Sequence, residues 1–310
     1  MRYALIVFWF LIVFHSACRA QSQQNYEKLI SVNGTELYVK VMGEGEALMV
    51  LHGGPGFNHD YFLPYLTPLA KHFRLILFDQ RGMGRSSTNL DSTSFSIDYL
   101  VDDIEALRTE LDLDAIHLLA HSWGGKLAMK YAIRYPASLK SLILSNTVAP
   151  SSEFNEATFA AFSKLNERQN LEELNAILDK IRGGNREVGV FEKFTKLNFR
   201  PMFYDTSRVH ELTLNFSQTY FETQSLLSLL PPPNQRENLF PDLASVDVPV
   251  LIIRGELEPT PIQSDQKLVD TFPDARLINF SKAGHFPFIE RPQAFKDSLT
   301  EFINKVEAGR

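Results

Sequence analysis

Four short segments carry residue types that together make a nucleophilic catalyst. The first is Ala120-His121-Ser122-Trp123-Gly124-Gly125-Lys126, which follows the apolar run Ile116 to Leu119. A buried strand that turns sharply at a serine and continues as a helix lifts the hydroxyl clear of a sheet, and Gly124 leaves room for the tight turn. Ala120 stands where such turns usually carry glycine; read alone, Ser122 is also a plain helix N-cap. The second segment, His52-Gly53-Gly54-Pro55-Gly56, ends another apolar run, Ala47 to Leu51. Glycines there let backbone N–H groups approach a reacting carbonyl, and the N–H of Trp123 supplies the second donor of an oxyanion hole. The third is Lys282-Ala283-Gly284-His285-Phe286-Pro287-Phe288, which offers a histidine as general base. An acid to orient it falls between serine and histidine, in Arg254-Gly255-Glu256-Leu257-Glu258-Pro259. Glu258 is preferred, since the third position after the glycine commonly holds this acid; Glu256 is the alternative.

These segments need elements to position them. Asn33-Gly34 between Lys28–Val32 and Glu36–Met42 predicts a type I′ hairpin. Ala47–Leu51, Leu75–Phe78, Ile116–Leu119, Leu142–Leu144, Val248–Ile253 and Arg276–Phe280 are short, largely apolar runs, as expected of strands buried on both faces of a parallel sheet. Helical periodicity lies between them over Ser96–Leu111, Lys126–Arg134 and Gln293–Val306. Alternating strands and helices predict an α/β fold. From about Ala149 to Phe240 the alternation lapses into helical patterns, such as Ala157–Asn166 and Leu171–Ile181, ending near Pro231-Pro232-Pro233. This predicts a helical cap inserted between two sheet strands. The expected organisation is residues 25–148 and 241–310 as core and 149–240 as cap.

The chain has 310 residues, 31 Lys plus Arg against 37 Asp plus Glu, a net charge of -6 and one cysteine. A mildly acidic chain without a basic run has no footprint for nucleic acid. One cysteine excludes an internal disulfide framework or cysteine metal cluster. That cysteine, Cys18, lies in Met1–Ala20, where Arg2 precedes the apolar run Ala4–Phe14 and small residues follow. This pattern predicts a cleaved signal peptide over residues 1–20 and a secreted or periplasmic protein with no stable membrane partner after cleavage. An N-terminal membrane anchor or lipidation at Cys18 are the alternatives. No metal or organic cofactor is expected, because His52, His117 and His121 lack metal-ligand spacing with carboxylates.

The order HGGPG, DQRGMGRS (Asp79–Ser86), HSWGG and GHFPF resembles the α/β-hydrolase superfamily and, within it, the prolyl iminopeptidase family. The resemblance covers about Tyr26–Ser145 and Asp247–Val306. It implies an α/β-hydrolase fold: a mostly parallel sheet flanked by helices, with a helical cap. It further implies a serine aminopeptidase that releases N-terminal proline, or another small or apolar residue, from short peptides through an acyl-enzyme. Ser122, Glu258 and His285 would be the triad, with Gly54 and Trp123 holding the oxyanion. Such enzymes bind the substrate's free amine with glutamates near the cap and acid loop. Here the acid loop runs straight into Pro259, which leaves the cap residues Glu211 and Glu222 as candidates; as residues alone they read as solvated helix charges. The cap aromatics Phe191, Phe194, Phe199, Phe203, Tyr204, Tyr220 and Phe221 are candidates for a proline pocket or for plain packing. The alternative activity is a serine esterase or lactonase on small carboxylic esters. Asp79 and Arg81 are expected to brace loops by ion pairing.

Overall fold

The Asn33-Gly34 pair turns the chain with both residues at positive φ, 44° and 73°. It joins β1 (Tyr26–Val32) to β2 (Thr35–Met42) as an antiparallel hairpin. This is a computed structural model, and it describes residues 25–167, 169–217, 219–230 and 236–309. The expected signal segment, Cys18 and the triple proline lie outside the described residues.

The apolar runs form the remaining strands: β3 (Ala47–Leu51), β4 (Arg74–Phe78), β5 (Ile116–His121), β6 (Leu139–Ser145), β7 (Val250–Gly255) and β8 (Ala275–Phe280). They make one eight-stranded sheet in the order β1-β2-β4-β3-β5-β6-β7-β8. Pairing is parallel from β4 to β8, and β1 and β2 add an antiparallel edge.

Strand periodicity divides the core between the two faces. Met49 and Leu51 face one apolar cluster while Leu48 and Val50 face the other; Leu142 and Leu144 are likewise opposed to Ile143. On the first face pack α1 (Ile97–Glu110), α2 (Trp123–Arg134), α7 (Phe240–Leu243) and α8 (Ile262–Thr271). Leu100, Ile104 and Leu107 form the buried stripe of α1, and Ser96 caps it by accepting from the Tyr99 N–H. On the second face lies α10 (Pro292–Ala308), through Phe295, Leu299, Phe302 and Ile303. Burying each such side chain stabilises the fold by roughly 1.5–3 kcal/mol. The last run departs from expectation: β8 is only half-buried. As an edge strand it pairs with β7 alone, so apolar continuity there did not mean cover on both faces.

Between β6 and β7 the chain forms α3 (Asn155–Asn166), α4 (Leu171–Arg182), α5 (Val188–Phe199) and α6 (Tyr220–Leu227). The short helix α9 (Pro287–Glu290) follows β8. The carboxyl ends of β3, β5, β6, β7 and β8 open toward one side, where sheets of this kind bind ligands.

Candidate active site

Ser122 sits between β5 and α2 with φ 55° and ψ −123°, a conformation that L residues rarely adopt. The turn is tight because glycines surround it. A Cβ on Gly124 would lie 2.7 Å from the His52 carbonyl oxygen, and one on Gly53 would lie 2.9 Å from the Ser122 Cβ. Ala120, within β5, is fully buried between its strand partners Leu51 and Leu144.

From this turn three predicted residues line up. The Ser122 Oγ lies 3.0 Å from His285 Nε2, and His285 Nδ1 lies 2.7 Å from Glu258 Oε2. Nδ1 donates to the carboxylate, so Nε2 is left to accept the serine proton. Burial by itself would raise the Glu258 pKa; the charge and hydrogen bond of His285, the Asn146 amide and the charge of Arg254 outweigh it and hold the carboxyl below its usual value. Asn146 Nδ2 donates to Glu258 Oε2 at 2.7 Å and to the Gly284 carbonyl at 3.1 Å, joining the acid to the histidine loop. Arg254 holds the acid loop from beneath by donating to the Glu258 and Thr260 carbonyls while paired with Asp265. Glu256, by contrast, is exposed and accepts from the Lys282 N–H at 2.9 Å.

A second hydrogen-bonded chain runs behind the triad. The Gly53 N–H donates to the Tyr61 hydroxyl at 2.6 Å; that hydroxyl donates to His121 Nδ1 at 2.9 Å; His121 Nε2 donates to the His285 carbonyl at 2.8 Å. Each bond admits one direction, since N–H groups lie at the start and a carbonyl at the end. Burial, with the nearby His285, holds the His121 pKa well below the usual histidine value, consistent with a neutral ring. Tyr61 engages the Gly53 N–H and Met83 Sδ accepts from the Gly56 N–H at 3.3 Å, while Gly54 lines the neighbouring cavity. Trp123 is the first residue of α2, where a backbone N–H has no partner within its helix.

Asp79 and Arg81 brace loops, as their types suggested. Asp79 accepts from the His59 backbone N–H at 2.9 Å and from His59 Nδ1 at 2.7 Å. Arg81 makes a two-pronged contact to Asp103 at 2.6 and 2.7 Å. At the far end of β5, His117 gathers with Glu46 and Glu307, ligand atoms within 4.8 Å of one another. The spacing argument against metal ligation did not foresee this group, which the fold assembles from distant segments. The Lys140 ammonium bridges its two carboxylates.

A cavity of about 600 Å³ opens beside the Ser122 turn, lined by Gly54 and Trp123 on one side and by Pro150, Asn155, Leu227 and Leu230 on the other. The expected amine ligands do not line it. Glu211 is held by Arg208 at 2.6 and 2.8 Å and accepts from Tyr65 at 3.3 Å. Glu222 accepts from the Thr88 hydroxyl. The cap aromatics also lie elsewhere: Phe203 is buried and stacked on Phe286, and Phe191 packs on Tyr220 and Phe221. Phe199 stacks on the His285 ring with centroids 6.0 Å apart. The carboxylate that does reach the cavity is Glu237, which the sequence did not single out; both its oxygens are engaged, by Lys126 and by Lys130, each at 2.7 Å.

A parallel sheet whose strand ends present a strained serine, a carboxylate and a histidine in that chain order defines a hydrolase. The family model for the alpha/beta hydrolase fold matches residues 46–292, and the chain belongs to that family. Its relatives within the family include proline iminopeptidases. One from Saccharolobus solfataricus is 26% identical over 92% of this chain and 93% of its own length. One from Clostridioides difficile is 28% identical over 90% of this chain and 98% of its own. Among solved structures, proline iminopeptidase from Mycobacterium smegmatis shares the fold at TM-score 0.65 and 24% identity, covering 92% of this chain and 99% of that one. The enol-lactonase from Burkholderia xenovorans LB400 shares it at TM-score 0.60 and 22% identity, over 89% and 100%.

These relatives correct one expectation. The N-terminal pattern predicted a secreted or periplasmic enzyme, or a membrane-anchored one, whereas proline iminopeptidases are generally cytoplasmic enzymes. Among the described residues no helix is long and apolar enough to cross a membrane. The expectation of export rested on the composition of Met1–Ala20 alone, a segment outside the described residues.

Proposed function

We propose that this hydrolase is a serine aminopeptidase that releases an N-terminal proline, or another small or apolar residue, from short peptides. The observation that carries the reading is the continuous line from Ser122 through His285 to Glu258, at 3.0 and 2.7 Å. The alignment with proline iminopeptidases over nine-tenths of the chain supports the peptide substrate. In this reading residues 149–240 form the cap over a core of 25–148 and 241–310.

Ser122 Oγ attacks the scissile carbonyl as His285 Nε2 takes its proton, and Glu258 stabilises the imidazolium that forms. The developing oxyanion is met by the N–H groups of Gly54 and Trp123. His285 then returns the proton to the leaving amine, and the acyl group remains on Ser122. Water, activated by the same imidazole, releases the acid and restores the serine.

Ester or lactone hydrolysis is the second reading. It is favoured by the state of the cavity's carboxylate: both oxygens of Glu237 are engaged by lysines, and Glu211 and Glu222 lie outside. Hydrolysis of Pro-β-naphthylamide compared with p-nitrophenyl acetate separates the two. Activity on the ester alone would overturn the peptidase reading. Ser122→Ala is expected to lose turnover by several orders of magnitude while remaining folded; full activity in that variant would refute the acyl-enzyme mechanism.

A further inference from the structure

Lys126 lies four residues after Ser122 on the axis of α2, a rise of roughly 6 Å at 1.5 Å per residue. Its side chain lines the cavity beside Trp123, and its ammonium is 5.9 Å from the Trp123 ring centroid. Lys126 and Lys130 both pair with Glu237, one on each carboxylate oxygen. The three charges sum to one positive charge, a quarter exposed to solvent, at one end of the cavity. Hydrogen-bonding capacity is unequal too. Glu237 has both oxygens engaged, whereas each ammonium carries three donors. Positive charge therefore prevails at this end of the cavity.

We propose that Lys126, held in place by Glu237, binds a carboxylate of the substrate, so that the enzyme selects short anionic substrates. This rests on Ser122 being the nucleophile. Lys126 follows Ser122 by about one helical turn and lines the same cavity as Trp123, which suits a small molecule in which one extended residue of about 3.5 Å separates the two reacting ends. A dipeptide with a free C-terminus places its carboxylate one residue from the scissile carbonyl. A half-ester of a short dicarboxylic acid does the same. A site of this kind turns away amidated or longer peptides, whose chain continues where the ion pair would form. It also gives Glu237 a role other than amine recognition: it positions the lysine and keeps its ammonium at the cavity wall.

Two matched substrate pairs test this: Pro-Gly against Pro-Gly amide, and p-nitrophenyl hemisuccinate against its methyl ester. The acid of at least one pair is expected to have a kcat/KM about tenfold above its neutral partner, mostly through KM. Lys126→Met should abolish the preference. Glu237→Gln should widen it roughly two- to threefold, because it removes the competing carboxylate. Opposite responses of the two variants distinguish carboxylate binding from a structural ion pair, whose loss would impair both members of a pair alike. Acid preference on the esters with no cleavage of the dipeptide would sustain this inference while overturning the aminopeptidase reading. Equal rates for acid and neutral partners, cleavage of neither acid, or the same response to both variants would overturn it.

Discussion

Replacing Tyr61 with phenylalanine removes one oxygen from the middle of the chain that links Gly53 to His285. The ring stays, and with it the contacts to Phe62 and Phe288. Two buried groups lose a hydrogen-bond partner: the Gly53 N–H, bonded at 2.6 Å, and His121 Nδ1, bonded at 2.9 Å. Tyr61 is fully buried and His121 nearly so, which leaves water no easy route to replace the hydroxyl. An unsatisfied buried polar group costs about 1–3 kcal/mol, so the two together predict a loss of roughly 2–6 kcal/mol. That is a large part of the roughly 5–15 kcal/mol that holds an ordinary domain folded. Urea unfolding followed by circular dichroism reads the loss directly. Activity should fall as well, by about tenfold or more, since the oxyanion loop and His285 are no longer tied to one another. Tyr65→Phe is the control. Tyr65 is only partly buried and its acceptor Glu211 keeps Arg208, so that variant should lose less than about 1 kcal/mol. A Tyr61→Phe protein within about 0.5 kcal/mol of the parent would refute the claim that this hydroxyl bridges two otherwise unsatisfied groups.

Glu258→Gln should lower kcat by roughly 10³–10⁴-fold, because an amide no longer stabilises the imidazolium or enforces the Nδ1–H tautomer. Glu256→Gln, at the exposed carboxylate that holds only the Lys282 N–H, should change kcat less than about twofold, and steady-state kinetics that reversed this order would move the acid role to Glu256. Stability should also fall as pH drops from 6.5 toward 4. Burial holds the His52 pKa down to about 4, with Nδ1 donating to the Gly53 carbonyl and Nε2 accepting from the Gln80 N–H, and His121 is held low in the same way. In that window the unfolded chain binds these two protons and the native protein does not, so these two rings contribute a slope of about 3 kcal/mol per pH unit; His117, likewise held down to about 4, adds to it, and Asp265, raised to about 6 by burial, offsets part of it. Urea denaturation at pH 7, 6 and 5 measures it, and a flat profile would contradict the buried neutral rings.

Local chemistry made much of this molecule legible in its sequence. The Asn33-Gly34 turn, the Ser96 cap and the strand–serine–helix turn at Ser122 each follow from a few adjacent residues. The choice of Glu258 over Glu256 rested on position alone, and the fold places Glu258 within reach of His285 while Glu256 faces solvent. Less accessible were residues whose importance arises from distant contacts. Asn146 serves the acid loop across 112 positions of chain, and Tyr61 serves His121 across 60. Neither sits in a recognisable pattern, although Asn146 follows a buried strand at φ 47°, a conformation asparagine tolerates better than most. Edge position misled in β8, where an apolar run lacks a second neighbour. The cap offered helical periodicity but no register relative to the core. Glu211 and Glu222 were therefore plausible ligands by composition, and the carboxylate that reaches the cavity, Glu237, was not.

The segment after α5 touches the His285 loop with almost no clearance. The His285 N–H donates to the Met202 carbonyl at 2.8 Å, and a Cβ on Gly284 would lie 1.8 Å from that same oxygen. Glu290 adds a second tie, accepting from the Gly284 N–H at 2.6 Å and from the Asp205 N–H at 3.0 Å. Any motion that lifted this part of the insertion would draw the imidazole away from Ser122. The α6 helix is tied to the core as well, with the Thr223 hydroxyl donating to the Gly82 carbonyl at 2.8 Å, so α3, which has no buried residue and borders the cavity through Asn155, is the less anchored wall. The contacts after α5 then keep His285 in register with Ser122, and opening at α3 for a ligand would leave that register intact.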